Sequence, residues 1–238
     1  MPLAGNYCSA CGQQRAKRLD VVAIGNEAWQ KYRLFEFTAV KAAWRLLRHP
    51  GHVARDFVMG VRKRHEHPLK LLLIAIGVLL LVLSQTNYLD SRDASLSKAM
   101  SLIRSYGNWS FSLGIVAISA ASMSVMRWGK PYNLTEHLVL ATYAHFLIIV
   151  ASIVNLLPTL VWRAPEFLAT HKASAAIYMD VAEAGIVMLA FHQFFAVTGW
   201  RSWLRLIVAV AAFVVVKWVL TRLYAMLIAK LVLAKLTG

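Results

Sequence analysis

From Leu71 to Leu89 the chain runs nineteen residues without a formal charge, and its heart reads Leu-Leu-Leu-Ile-Ala-Ile-Gly-Val-Leu-Leu-Leu-Val-Leu. About 20 apolar residues in a helix cross the hydrocarbon core of a bilayer. Lipid offers no hydrogen bonds, so a spanning segment must satisfy its own backbone, which a helix does. Four further windows read the same way: Ser105 to Met126, Leu138 to Trp162, Ile177 to Thr198 and Leu206 to Ile228. The fourth is interrupted only by Asp180, Glu183, His192 and Gln193, and the fifth by Lys217 and Arg222. The pattern predicts an all-α integral membrane protein with about five transmembrane helices plus amphipathic interfacial helices. Composition agrees: 59% of residues are hydrophobic, against about 45–50% in soluble domains. Eight Trp, eight Tyr and ten Phe exclude intrinsic disorder, since such residues demand burial. The stretch Lys217–Leu236 is read either as part of the last span or as lying along the interface or beyond the bilayer.

The charge is concentrated before the first span. Residues 1–70 hold thirteen Lys/Arg against five Asp/Glu, a net of +8; the other 168 residues carry +7. Basic residues flanking a span hold that flank in the cytoplasm and attract anionic lipid head groups. The expected partners are therefore the lipid bilayer, anionic head groups at the basic N-terminal head, and a second copy of the chain in a homo-oligomer. Nucleic acid is not expected, because no reading module accompanies the charge. The first 25 residues hold only Val21–Ile24 as an apolar run, so insertion is expected to rely on an internal span.

Three regions follow: 1–25, a half zinc ribbon and basic linker; 26–67, amphipathic cytoplasmic or interfacial helices; and 68–238, the transmembrane domain. Trp29–Arg48 places Tyr32, Phe35, Ala39, Ala43, Leu46 and Leu47 near one face, as an interfacial helix would. Pro50-Gly51 ends it, and a shorter helix is expected within His52–Arg64. Leu96, Ala99, Met100, Ile103 and Tyr106 recur at helical spacing and predict a short outer helix. Span two carries small-xxx-small pairs at Ser110/Gly114, Ala117/Ala121 and Ala120/Ser124. Small residues let helices approach closely in lipid, so this span is expected at the centre.

Several residues carry chemistry. Cys8 and Cys11 have the spacing of half a zinc site, which needs four ligands; a second chain, His49, His52, His65 or His67 would have to complete it. Asn133 and Glu136 have the spacing of a capping box, with His137 beside them and His145 two turns on. Asp180 and Glu183 share a helix face at i, i+3, and Lys217 and Arg222 are their natural partners. A bilayer charges at least ~3 kcal/mol for an unpaired charge. The set Glu136, His137, His145, Asp180, Glu183, His192 and Lys217 therefore reads either as a polar core (a proton relay, ion path or metal site) or as caps and interfacial, snorkelling groups. Cofactor chemistry is left open among none (a degenerate knuckle that binds nothing), zinc at Cys8/Cys11 and a metal on the His/carboxylate set.

The ordered series Tyr7-Cys8-Ser9-Ala10-Cys11-Gly12-Gln13, Arg48-His49-Pro50-Gly51, Gly60-Val61-Arg62, Pro68 and Tyr132-Asn133-Leu134-Thr135-Glu136-His137 resembles an uncharacterised family of bacterial multi-pass inner-membrane proteins. The resemblance implies a cytoplasmic ribbon, a basic linker and a helical domain in the bacterial inner membrane, with the N-terminus cytoplasmic. It implies no established activity. The catalytic residues are unassigned. The leading expectation is a small transporter, a channel-like subunit or a membrane-embedded partner protein, non-enzymatic. The rivals are a metal-dependent membrane enzyme and a regulatory protein docking through its basic head.

Overall fold

A computed structural model describes residues 44–62, 65–86, 110–126 and 132–237. Within them lie six labelled helices: α1 (Pro50–Val58), α2 (Pro68–Gln85), α3 (Ser110–Met126), α4 (Leu134–Val161), α5 (Pro165–Phe195) and α6 (Trp200–Thr237). Residues 44–48 form a short helical piece before α1. No strand occurs among the described residues. By length and hydropathy α2, α4, α5 and α6 can each cross a membrane, and α3 is a shorter apolar helix. The protein is an all-α membrane protein.

Local chemistry sets the helix ends. Pro68 and Pro165 stand in the first turns of α2 and α5, where the missing N–H is not needed and the ring's φ is already helical. The preceding His67 and Ala164 are extended, as a residue before proline prefers. Asn133 and Glu136 form the expected capping box: Glu136 N donates to Asn133 Oδ1 at 2.9 Å, and Asn133 N donates to Glu136 Oε2 at 2.7 Å. At the far end of α5 the chain turns through Ala196 (φ 49°) and Gly199 (φ 78°) into α6.

The bundle is organised around α4, which packs on α1, α2, α3 and α5, while α6 lies against α3 and α5. Every residue from Val139 to Ile149 is buried. A helix apolar on all sides belongs at the centre of its bundle, so α4 takes the position the small-residue pattern had suggested for span two. In α3, Ala117 and Ala121 are buried at helix contacts, but Ser124 is exposed. The spans α5 and α6 reach well past their apolar windows. At 1.5 Å per residue, the 38 residues of α6 extend about 57 Å. Lys217–Leu236 therefore continues a single helix rather than forming a separate interfacial one.

The starts of α2, α4 and α6 and the ends of α3 and α5 share one end. Ser122 near the end of α3 meets His137 near the start of α4, and His192 at the end of α5 meets Trp203 at the start of α6, ring centroids 5.0 Å apart. Helix α1 is docked into this end. Pro50, Gly51, Val53, Ala54, Phe57 and Val58 are buried, while His52 and Met59 are exposed. The shorter helix expected within His52–Arg64 thus begins earlier, at Pro50, and ends at Val58. Of the predicted Trp29–Arg48 helix only 44–48 falls within the described residues. There Leu46 is buried but Leu47 is exposed. The outer helix around Leu96–Tyr106 lies outside the described residues.

Candidate functional site

The polar set predicted from the sequence separates into distinct places. Glu136 is the cap of α4, buried and committed to Asn133. One turn into the bundle, His137 Nδ1 lies 2.9 Å from Ser122 Oγ, and that hydroxyl donates to the Ser119 carbonyl at 3.0 Å. Tyr132 packs edge-on to His137 and against Phe194 and Phe195. Burial raises its phenol above the ordinary value, Arg55 pulls it back, and Glu136 adds to the rise. His145 sits deeper, buried beside Gly114 of α3. A methyl on Gly114 would come within 2.5 Å of His145 Nδ1. His192 stands apart beside Trp203.

Three members do converge. Lys217 Nζ of α6 donates to Asp180 Oδ1 at 3.0 Å and to Glu183 Oε2 at 2.6 Å on α5. The i, i+3 spacing puts both carboxyl groups on one face, and Lys217 reaches that face from the neighbouring helix. The pairing expected for Lys217 is formed. Arg222, the other expected partner, instead has its guanidinium 5.4 Å from the ring centroid of Trp218. The cluster is graded outward: the Glu183 side chain is 13% exposed, Lys217 28% and Asp180 69%. It opens into a cleft of about 230 Å³ walled by Phe213, Val214, Trp218 and Thr221 of α6. Glu183 lies twelve residues before Phe195, about 18 Å by helical rise from the end of α5 on which α1 docks. Two carboxyl groups thus face one ammonium at the mouth of the cleft.

Among the described residues no three His, Cys, Asp or Glu side chains gather closely enough to hold a metal ion. His137 and His145 fail to join the carboxylates because they face α3, and His192, which faces α6 as the carboxylates do, stands nine residues, about 13 Å, along α5 from Glu183. Cys8 and Cys11 lie outside the described residues. Two of the histidines weighed as their zinc partners have structural roles. His65 Nε2 is 3.2 Å from Asp56 Oδ2, and buried His67 packs edge-on to Phe57.

Two arrangements were not legible beforehand. Gln193 of α5 accepts from Gly51 N through Oε1 at 3.0 Å and donates through Nε2 to the Arg48 carbonyl at 3.2 Å. One amide thus ties together the end of 44–48 and the start of α1. Tyr143 of α4 donates its hydroxyl to the Glu66 carbonyl at 2.6 Å, and Lys70 pairs with the Glu66 side chain at 3.0 Å. Together they fix the linker that turns α1 into α2. The only sequence signals were an amide and a phenol inside apolar helices, whose partners lie 142–145 and 77 residues away.

No curated protein and no solved structure matches the chain. Residues 40–80 match the model of a family described as a protein of unknown function (DUF3667), a stretch that runs from just before the Gln193-held junction, through α1 and the Tyr143-held linker, into α2.

Proposed function

We propose that this is a non-enzymatic protein of the bacterial inner membrane that works by pairing with a membrane-embedded partner through the ionic face of α5 and α6. The single observation behind this is the placement of Asp180, Glu183 and Lys217. They lie on the outer flank of the bundle, with Asp180 69% exposed, rather than around the α4 core. Ionisable groups within spans are costly and persist where they serve a site. A partner helix carrying one basic residue would complete the charge balance and cover the open carboxylate. The end bearing α1 is assigned to the cytoplasm together with the N-terminus. Arg48, Arg55, Arg62, Lys70, Arg201 and Arg205 all belong to it, in keeping with the bias of basic residues toward the cytoplasmic side.

The test is photo-crosslinking in native membranes from a reactive residue at Val181, which is exposed beside Asp180. The expected result is a discrete protein adduct that disappears when Asp180→Asn and Glu183→Gln are combined. Adducts with lipid alone, or a protein adduct indifferent to those changes, would overturn the reading.

A further inference from the structure

The basic end carries a second surface, independent of the ionic face. Arg48, Arg201 and Arg205 are exposed there, interleaved with exposed Trp44, Trp200 and Trp203. They come from two distant parts of the chain, of which the Arg48 carbonyl and the Trp203 ring both reach the last turns of α5. His192 lies tilted beside Trp203 of α6, and its neighbour Gln193 holds the Arg48 carbonyl at 3.2 Å. Two of the arginines lie over indole rings, Arg48 at 4.8 Å from Trp44 and Arg201 at 5.6 Å from Trp200. Arg205 follows Arg201 by four residues, on the same face of α6.

We propose that this end is a binding site for an anionic phospholipid of the leaflet it faces. A guanidinium stacked on an indole keeps its in-plane N–H groups pointing outward, where they match a phosphate with two parallel bonds. Tryptophan prefers the depth of the lipid head groups, so the rings set the arginines at phosphate level. Among the described residues the acid of α1, Asp56, pairs with His65, Glu66 with Lys70, and Glu136 caps α4, so none of these acids is shown paired with Arg48, Arg201 or Arg205. The lipid is selected because the site stands where four membrane-crossing helices begin or end and because its aromatic members would lie against acyl chains, which a free phosphate does not have.

The full chain in neutral detergent would be titrated with phosphatidylglycerol, phosphatidylcholine and inorganic phosphate. Phosphatidylglycerol should bind about tenfold or more tighter than phosphatidylcholine, since each basic residue adds to attraction for an anionic surface. The preference should vanish in R48Q/R201Q/R205Q and survive in R163Q/K172Q at the opposite end. A measurement needing no variant is quenching of tryptophan fluorescence by brominated lipid, expected to be stronger for the phosphatidylglycerol form. Equal affinity for the two lipids, equal quenching, competition by inorganic phosphate at the same concentration, or an unchanged preference in the triple variant would each overturn the proposal.

Discussion

A methyl group at Gly51 has no room. It would lie 2.5 Å from the Phe194 nitrogen, closer still to the Ala190 carbonyl oxygen, and 2.6 Å from Gln193 Cβ. Two of these are backbone atoms of α5 and cannot swing aside. Gly51→Ala should therefore destabilise the protein by about 1–3 kcal/mol, the usual cost of overpacking, read as a lower thermal midpoint in detergent. Ala196 presents the opposite case. It sits in the left-handed region at φ 49°, where a side chain costs roughly 1–2 kcal/mol and glycine costs little. Ala196→Gly should stabilise by about 0.5–1 kcal/mol, because glycine's greater freedom in the unfolded chain returns part of the gain. An unchanged or lowered midpoint would show that the turn is not under strain. The Pro50-Gly51 pair was legible as a helix stop, but its reason was not. The proline opens α1, and the glycine permits contact with a helix 142 residues away.

At the level of elements, Gln193 of α5 makes one hydrogen bond to α1, at Gly51 N, and one to the Arg48 carbonyl just before it. Gln193→Leu keeps the volume but leaves the buried Gly51 N–H without its acceptor. An unsatisfied buried donor costs about 1–3 kcal/mol. The expected signature is local: faster amide exchange across α1 and residues 44–48, with α2 and α4 unchanged. Exchange rising evenly throughout the bundle would mean that α1 is no separate unit. Helix positions themselves were largely readable. The run around Leu71–Leu83 became α2, and Asn133/Glu136 marked the start of α4 because a capping box is a local interaction. The early starts of α5 and α6, at Pro165 and Trp200, were not readable from hydropathy. Their first turns are polar or mixed and become helical by continuity with the apolar span.

Across the whole molecule, the Asp180–Glu183–Lys217 cluster couples α5 to α6. Removing one partner of such a group is worse than removing all of it, since an uncompensated charge is left behind. Lys217→Met alone should destabilise by ~3 kcal/mol or more, whereas the combined D180N/E183Q/K217M should recover most of that loss. Chemical denaturation in lipid-mimetic detergent reads both. If the triple variant is as unstable as the single, Lys217 matters for packing and not for charge. The i, i+3 carboxylates and a cation on the following span announced this cluster, because helical periodicity fixes which residues share a face.

The sequence by itself determined the class of the fold. Long uncharged runs in lipid must be helices, since only a helix satisfies every backbone group within one segment, and the cap and proline positions follow from chemistry within a single turn. Only the tertiary structure decided which helix lies at the centre, that His137 and His145 face α3 rather than the carboxylates, and that Gln193 and Tyr143 lock α1 and its linker in place. Those facts depend on how helices rotate and pack against one another. In lipid that choice rests on close fit and a few long-range hydrogen bonds, neither of which leaves a periodic trace along the chain.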